Sequence, residues 1–290
     1  MLPTRFELHR PDSIEAALAL MQQYGDDAIY YAGGTEMLIA MKARVVRYGH
    51  VIDIKRIPGL RGVAELDDGS LMIGALSTHH QLANDPVIRR RLPGYAQLAD
   101  NVANIRVRAA GTIGGNLCFA EPHADPPAML CALGAQLILL GPGGDRSVPM
   151  ESFIAGEFTT VRAPDELLVA IEIPPLPTGA RAFYRAFGHL ERPAAGVAAL
   201  AMPAAADPSR DTPLRWRFWT GAVADHPLRL EALEAALDGL PARDVAATIE
   251  RIAPGVAQQL DVHDDIHGSA DYKRHLVAVL AGRAAEACLS

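Results

Sequence analysis

Cysteine is scarce in this chain, and its scarcity limits the metal chemistry that the chain can support alone. The 290 residues include three cysteines, Cys118, Cys131 and Cys288, which are far apart and form no C-x-x-C pair. An iron–sulfur cluster or an all-cysteine zinc site needs four thiolates, so this chain cannot supply either by itself. Cys118 has two interpretations, a reactive thiol or a small buried filler, and we favour the filler.

Long apolar runs and blocks of like charge are also missing. No stretch of eighteen apolar residues occurs, and residues 1–7 lack the apolar core of a signal peptide. We therefore expect a cytoplasmic protein without an integral membrane segment. The 27 lysines and arginines against 34 aspartates and glutamates give a net charge of −7, which argues against nucleic acid as a partner.

The motifs of several large enzyme classes are absent as well. Gly141 and Gly143 begin a G-x-G pattern, but Arg146 stands where a dinucleotide-binding fingerprint needs its last glycine. The sequence also lacks the P-loop motif, H-E-x-x-H and G-x-S-x-G. A Rossmann or P-loop site is therefore not expected, and we assign no catalytic acid, base or nucleophile.

What the chain does have is enough apolar sequence for a large core. Half of its residues, 50%, are hydrophobic, and its length suggests about two domains. Hairpin patterns are mixed with helical ones, which predicts an α+β fold. A domain boundary is expected near residue 176, because residues 173–179 hold three prolines and a glycine and support neither helix nor strand.

The first part of the chain is expected to open with a β–α–β unit. Asp12 and Glu15 have the spacing of a capping box for a helix that ends before Gly25. Strands are expected at residues 28–31, 50–55, 136–140 and 167–173, with a hairpin over 59–76. Helices are expected at residues 37–42, 78–84 and 98–107.

The second part is expected to form an antiparallel sheet followed by helices. The strands are predicted at residues 180–187, 197–202 and 214–223, with 204–213 as a polar connection. Three helices with apolar stripes follow. The second of them is expected to end before Pro254, and Ser269 is expected to cap the third.

Two glycine-rich segments carry the strongest functional signal. Ala32-Gly33-Gly34-Thr35-Glu36 joins an expected strand to an expected helix, and Thr112-Ile113-Gly114-Gly115-Asn116 follows another helix candidate. Backbone N–H groups at a strand-to-helix turn favour an anion, and adjacent glycines let a ligand approach the main chain closely. Each pair alone is equally typical of an ordinary turn. Together they predict the two halves of one phosphate-binding site.

Two clusters of acidic residues and histidine are candidates for metal binding, but we assign no metal site. The first cluster is Glu121, His123 and Asp125, and the second is His263, Asp264, Asp265 and His267. The second is interpreted as a solvated loop, because its irregular spacing lies outside a predicted scaffold. In the first, Asp125 would repel a phosphate, whereas it fits beside a ribose hydroxyl or a flavin ring.

Four segments, in this order, resemble the FAD-binding medium subunit of molybdenum hydroxylases, the flavoprotein of the xanthine dehydrogenase and CO dehydrogenase family. They are the first glycine segment, the second one with Asp125, Pro164-Asp165-Glu166-Leu167-Leu168 leading to Ile171-Glu172-Ile173-Pro174, and Gly268-Ser269-Ala270-Asp271-Tyr272-Lys273-Arg274-His275-Leu276. The resemblance runs from end to end. It implies a PCMH-type FAD-binding domain over residues 1–176, with α+β subdomains at about 1–56 and 57–176. A C-terminal domain of antiparallel sheet and helices is implied over 177–290.

The resemblance also implies which residues contact FAD. Asp125 would lie on the flavin or ribitol side, and Leu168 at the ring system. Arg185 falls where many members carry a lysine near the flavin, and it is either a cation for the reduced ring or an exposed strand residue. The implied cofactor-binding residues are Tyr30, Tyr31, Ala32, Gly33, Gly34, Thr35, Glu36, Met37, Val102, Thr112, Ile113, Gly114, Gly115, Asn116, Asp125, Leu168 and Arg185. One departure concerns residues 192–196, where relatives tend to carry an acidic residue and this chain has none.

The function implied is electron transfer within a multi-subunit oxidoreductase. FAD would collect electrons from a small [2Fe–2S] subunit, which receives them from a large molybdenum-cofactor subunit, and pass them to NAD⁺, oxygen or a quinone. Two alternatives stay open. One is a self-contained FAD-dependent oxidoreductase of the same superfamily, and the other is a non-catalytic nucleotide-binding module.

Overall fold

The computed structural model describes residues 4–189, 191–204 and 212–290 of the chain. Most of the predicted polar connection over residues 204–213 lies outside the described residues. None of the helices in the described ranges combines the length and the apolar character needed to cross a membrane.

The N-terminal part is a small parallel sheet with two helices. Its elements are β1 (Glu7–His9), α1 (Ile14–Tyr24), β2 (Ala28–Tyr31), α2 (Met37–Ala43) and β3 (His50–Asp53). The strand order is β1-β3-β2, with both pairings parallel. The predicted β–α–β opening is therefore confirmed, but Asp12 is not the cap of α1. Ser13 caps it instead, because its hydroxyl accepts the N–H of Ala16 at 3.1 Å.

The middle part is a five-stranded sheet with a run of short helices. The strands are β4 (Val63–Glu65), β5 (Leu71–Gly74), β6 (Gln136–Gly141), β7 (Gly144–Pro149), β8 (Ile154–Gly156), β9 (Thr159–Thr160) and β10 (Leu167–Ile173). The order β4-β5-β10-β6-β7 is antiparallel at every neighbouring pair, and β8 and β9 form a separate two-stranded sheet. The hairpin expected within residues 59–76 is confirmed, with β4 paired to β5.

The helices of this part are α3 (His79–Asn84), α4 (Pro86–Arg91), α5 (Pro93–Asn101), α6 (Ile105–Ala110), α7 (Ile113–Phe119) and α8 (Pro126–Leu133). The single helix expected over 98–107 is wrong, because the chain breaks between α5 and α6. Ala103 has a left-handed φ of 43°, and the side chain of Asn104 caps α6 by accepting two backbone N–H groups. Arg108 donates to the carbonyl oxygens of Val102 and Ala103 at 3.1 and 2.9 Å, which stabilises the break.

The C-terminal part is a four-stranded antiparallel sheet covered by helices. Its elements are β11 (Arg181–His189), β12 (Arg192–Pro203), β13 (Leu214–Gly221), β14 (Leu228–Arg229), α9 (Glu231–Leu237), α10 (Ala242–Gln258) and α11 (Ala270–Leu289). The three predicted strands are confirmed, and Ser269 caps α11 as expected. Pro254 does not end the helix before it, because α10 runs through Pro254 to Gln258.

Strand β12 connects two hydrophobic cores. Ala198 and Leu200 belong to the core that also holds α8 and the middle sheet, whereas Val197, Ala199 and Ala201 belong to the core with α10 and α11. Successive side chains of a strand point to opposite faces, so both faces of β12 are buried. The C-terminal sheet is thereby packed against the middle part, and the boundaries at residues 56 and 176 stay a prediction.

Candidate functional site

The two glycine segments meet in the folded chain because several glycines leave no room for a side chain. A Cβ atom on Gly33 would overlap the carbonyl oxygen of Ala110, just before the second segment. A Cβ atom on Gly114 would lie 2.7 Å from the Cβ atom of Ala75 and 2.8 Å from its carbonyl oxygen. Real Cβ atoms do not approach other atoms so closely. Both positions therefore depend on glycine for close backbone packing.

The first segment forms an uncapped strand-to-helix turn. Gly34 has a φ of 73° and its Cα atom lies against the ring of Tyr31, so a side chain there is excluded by both conformation and space. Glu36 is the N-cap residue of α2, but its side chain makes no capping hydrogen bond. In the first turn of α2, the N–H groups of Leu38 and Ile39 donate to the carbonyl oxygens of Gly34 and Glu36 at 3.2 and 3.0 Å, so the main chain rather than a cap side chain holds this turn.

The second segment begins α7. Thr112 caps the helix, since its hydroxyl accepts the N–H of Gly115 at 3.1 Å. A Cβ atom on Gly115 would lie 2.9 Å from that hydroxyl and 3.8 Å from the Cβ atom of Ala32. The missing side chain of Gly115 therefore keeps open the space between the two glycine segments.

A cavity of about 570 Å³ lies along these two segments. Fifteen of the seventeen predicted site residues line it, namely Tyr30, Tyr31, Ala32, Gly33, Gly34, Thr35, Glu36, Met37, Val102, Thr112, Gly114, Gly115, Asn116, Asp125 and Leu168. Its volume lies in the range of small-molecule and cofactor sites. The structure therefore brings together around one cavity residues that are up to 138 positions apart, from Tyr30 to Leu168.

Two predicted site residues are not among those that line the cavity. Ile113 is fully buried in the hydrophobic core, and its N–H donates to the carbonyl oxygen of Ser77 at 3.0 Å. Arg185 lies on β11, where its guanidinium donates to the side chain of Gln97 and the carbonyl oxygen of Tyr184, each at 3.0 Å. The structure thus places Arg185 beside a neighbouring groove, which it shares with Asp125.

Three buried polar atoms of the cavity wall have no hydrogen-bond partner among the residues that the structure describes. They are the hydroxyl of Tyr30, Nδ1 of His79 and Oδ1 of Asn116. Leaving a buried polar atom unpaired is costly, and such atoms are rare in folded proteins. Unpaired atoms of this kind around one cavity fit a bound polar ligand that supplies the partners.

Burial controls the charges inside the cavity. Burial, opposed by a hydrogen bond from Tyr184 and assisted by the nearby carboxylate of Glu121, raises the pKa of Asp125 to about 6. Burial also raises the pKa of Glu36, against the attraction of Arg192, and lowers the pKa of His79 to about 4. His79 is therefore neutral at pH 7, and the site holds fewer charges than its sequence suggests.

A network of ion pairs begins at side chains in the cavity wall and continues away from the cavity. Arg192 donates to Glu121 Oε1 at 2.9 Å, and Glu121 Oε1 lies 3.1 Å from Nδ1 of His123. Nε2 of His123 lies 2.8 Å from Oδ2 of Asp265, and the same oxygen accepts a hydrogen bond from the ammonium of Lys273. The second acidic cluster is an exposed loop at Asp265, as predicted, but its carboxylate is not isolated. The fold brings a buried lysine and a histidine from another part of the chain to that carboxylate.

Several residues of the cavity wall carry no functional signal in the sequence. His79, Asn104, Arg162 and Arg192 line the cavity, but they lie outside the two glycine segments. The backbone N–H of His79 donates to the carbonyl oxygen of Gly111 at 3.1 Å, one residue before the second segment, so only folding brings His79 to the cavity. The local sequence around these residues carries no signal of this role.

The combination of a long cavity, close-packed backbone turns and unpaired buried polar atoms defines a cofactor-binding protein. Two domain families match the chain. The FAD binding domain in molybdopterin dehydrogenase matches residues 4–176, and the CO dehydrogenase flavoprotein C-terminal domain matches residues 185–288. The chain belongs to the FAD-binding medium subunits of the molybdenum hydroxylase family, and its cofactor is FAD.

The chain is similar to several curated proteins along its full length. The carbon monoxide dehydrogenase medium chain of Hydrogenophaga pseudoflava is 34% identical over 287 residues, covering 99% of this chain and 98% of that protein. A putative xanthine dehydrogenase FAD-binding subunit of Escherichia coli is 30% identical over 274 residues, covering 94% and 92%. A solved structure of carbon monoxide dehydrogenase from Hydrogenophaga pseudoflava matches with a TM-score of 0.91 and 34% identity, covering 100% of both chains.

Proposed function

We propose that this chain carries the FAD of a multi-subunit molybdenum hydroxylase and transfers electrons from a [2Fe–2S] subunit to an external acceptor. The observation that carries the proposal is the cavity between the two glycine segments, with unpaired polar atoms of Tyr30, His79 and Asn116 in its wall. Bound FAD would supply the acceptance and release of two electrons. The residues of the chain would bind, orient and electrostatically tune it.

The two glycine segments are suited to the pyrophosphate of FAD. Gly33 packs against the backbone at Ala110 and Gly111, and Gly114 packs against Ala75. Both glycines line the cavity, so a ligand can approach the main chain closely there. The start of α2 carries the positive end of a peptide dipole array, which favours an anion. The first N–H groups of α7 already donate to the oxygens of Ser77, Ala75 and Thr112, so α7 would act through its dipole alone. Side-chain hydroxyls at Thr35 and Thr112 add donors at the same wall.

The carboxyl group of Asp125 is suited to a neutral, hydroxyl-bearing part of the ligand. Burial disfavours its charge and raises its pKa to about 6, so a further hydrogen bond from a ligand hydroxyl would stabilise the carboxylate. This supports the ribitol or flavin side of FAD at Asp125. Leu168, also in the wall, supplies apolar surface for a ring system.

The proposed partners are a large molybdenum-cofactor subunit and a small [2Fe–2S] subunit. Two features support them. The three cysteines of this chain are too few to hold an iron–sulfur cluster, so another subunit would have to hold it. The similar proteins are described as medium chains or complex subunits. The proposed acceptor is NAD⁺, oxygen or a quinone.

Visible absorption of the purified chain, alone and co-expressed with its partners, tests the function. We expect a yellow protein that releases FAD and is reduced by a substrate of the complex only when both partner subunits are present. Reduction by a substrate without partners would instead indicate a self-contained oxidoreductase. Bound FAD that no combination of partners and substrate reduces would indicate a nucleotide-binding module.

The variant Gly115→Val tests where FAD binds. Valine would fill the space between Gly115 and Ala32, so FAD occupancy should fall at least tenfold while the far-ultraviolet circular dichroism stays unchanged. Gly143→Val is the matched control, because a Cβ atom on Gly143 meets no atom within 4 Å. Full FAD occupancy in Gly115→Val would contradict the proposed placement.

A further inference from the structure

Two histidines and a glutamate meet on the N-terminal sheet, away from the flavin cavity. Glu7 and His9 are two residues apart on β1, so their side chains share one face of the sheet. His50, the first residue of β3, pairs directly with Glu7 in the parallel register. One donor atom from each of these three residues lies within 4.8 Å of the other two.

The distances between the donor atoms are close to those of a metal site. His9 Nε2 lies 3.0 Å from His50 Nδ1, and Glu7 Oε2 lies 3.8 Å from His50 Nδ1. Two imidazole nitrogens on a tetrahedral zinc ion are about 3.3 Å apart, given Zn–N distances near 2.0–2.1 Å. One donor atom of each residue lies within 4.8 Å of the other two, so a shift of a few tenths of an ångström at the histidines and a larger movement of the Glu7 side chain would give three ligand positions around one ion.

The two imidazoles are already held in place by an aromatic ring. Tyr24, the last residue of α1, stacks on His50 with ring centroids 3.6 Å apart and on His9 with centroids 5.0 Å apart. The side chains of His9 and His50 are 12% and 21% exposed, while that of Glu7 is 66% exposed. The histidines are thus pre-organised, and the glutamate is free to close on an ion from the solvent side.

The nitrogens that face each other share only one proton. At 3.0 Å, His9 Nε2 and His50 Nδ1 form a hydrogen bond in which one is the donor and the other the acceptor. A divalent cation would bind both facing nitrogens once the donor imidazole adopts its other tautomer, in which the proton sits on the remaining ring nitrogen and the facing nitrogen has a lone pair. The carboxylate of Glu7 would be the third, anionic ligand. The set of two imidazoles and one carboxylate suits Zn²⁺ and similar first-row divalent ions, with water in the fourth position.

We infer that Glu7, His9 and His50 form a binding site for a divalent cation of the Zn²⁺ class, which fastens the first strand of the chain to the sheet. Strand β1 has three residues and is largely exposed, so it has little buried surface to hold it. An ion bound between β1 and β3 would stabilise this edge. It would also support the sheet whose other outer strand, β2, leads into the first glycine segment.

Zinc titration of the full-length, tag-free chain at pH 7.5 tests the inference, with a chromophoric chelator as competitor. We expect one Zn²⁺ per chain and a melting temperature that rises by roughly 5 °C at saturating zinc. Glu7→Gln should weaken zinc affinity by about tenfold or more, and the double variant His9→Ala/His50→Ala should abolish the stoichiometric site. His80→Ala, which removes an exposed histidine elsewhere, should behave as wild type.

Two outcomes would overturn the inference. One is a wild-type chain that binds no more zinc than the double variant. The other is Glu7→Gln with unchanged zinc affinity, which would show that the histidines bind zinc without the carboxylate. Because Glu7 is exposed, its substitution leaves the fold intact, so this result does not depend on the stability of the histidine variants. Neither readout requires FAD or enzyme activity.

Discussion

Gly33 shows how much depends on a single missing Cβ atom. It is the point at which the first glycine segment touches the backbone that leads into the second, at Ala110 and Gly111. The contact is between main chains, and it fixes the separation of two cavity walls that are about eighty residues apart in sequence. Any side chain at this position pushes the two segments apart.

We therefore expect Gly33→Ala to weaken FAD binding by at least tenfold and to lower the free energy of unfolding by about 1–3 kcal/mol, the usual cost of overpacking. Cofactor occupancy from the absorption spectrum and chemical denaturation measure the two effects. Gly143→Ala, at a position with open space around it, is the control. Equal FAD occupancy in Gly33→Ala and Gly143→Ala would contradict this explanation.

Asp125 makes a pH-dependent contribution to the stability of the flavin-free chain. Its pKa is raised from 3.8 to about 6 in the folded protein, so folding favours the protonated form and ionisation destabilises the fold. The contribution of Asp125 to the free energy of unfolding is complete below pH 4 and is lost as the pH rises through 6. Above pH 7, the free energy of unfolding of Asp125→Asn should therefore exceed that of wild type by up to about 3 kcal/mol. Near pH 4 the two free energies should be equal. Thermal unfolding of both proteins from pH 4 to 8 measures the difference.

The sequence indicates the part of this site that consists of neighbouring residues. It does not indicate the residues that only folding brings to the cavity. Gly33, Gly34, Gly114 and Gly115 stand out because adjacent glycines between apolar runs are a local pattern. His79 and Arg192 reach the same cavity from α3 and β12, and no spacing along the chain connects them to the glycines. Arg185 was predicted by position in a family pattern, but its side chain turns to Gln97.

Helices in this protein end where the backbone conformation changes rather than where hydrophobic periodicity stops. The apolar pattern over residues 98–107 predicted one helix, yet Ala103 adopts a left-handed φ and Asn104 starts a new helix. Asparagine is a residue type that favours helix N-caps, and Asn104 has this local property. The left-handed alanine instead depends on the two hydrogen bonds from Arg108. Periodicity alone cannot detect such a tertiary contact.

Helix α10 permits a test at the scale of one element. Gly255 lies inside α10 directly after Pro254, is exposed, and has no atom within 4 Å of a potential Cβ position. Gly255→Ala should raise the free energy of unfolding by about 0.5–1 kcal/mol, because alanine loses less backbone entropy on folding. Gly239 has equally open surroundings but a φ of 77°, so Gly239→Ala should destabilise the protein. Chemical denaturation measures both changes in the free energy of unfolding. A destabilised Gly255→Ala together with a stabilised Gly239→Ala would refute the explanation.

At the scale of the whole molecule, the ion network at the cavity joins parts of the chain more than 140 residues apart. Lys273 is 1% exposed, and its ammonium pairs with Asp265, which also contacts His123. Burial alone would raise the pKa of Asp265, but the hydrogen bonds from Lys273, the His267 N–H and His123 outweigh it and lower the pKa to about 2. The ionised carboxylate of Asp265 therefore stabilises the fold above pH 4, and this contribution is lost as the pH falls toward 2.

Asp265→Ala should destabilise the protein by roughly 3 kcal/mol, because it leaves the ammonium of Lys273 buried without its carboxylate. The double variant Asp265→Ala/Lys273→Met should recover most of that loss, since it removes the buried charge together with its partner. A double-mutant cycle by chemical denaturation at pH 7 gives the coupling. Additive effects of the two substitutions would show that the pair does not stabilise the fold.

The two buried faces of β12 have a consequence for recombination between related subunits. Two domain families meet between residues 176 and 185, which makes this point an obvious junction for a chimera. However, Ala198 and Leu200 on β12 pack into the core of the middle part, so a C-terminal segment from a relative would bring foreign side chains into that core. A viable hybrid must exchange α8 together with β12, although the two are separated by almost sixty residues and by the apparent junction.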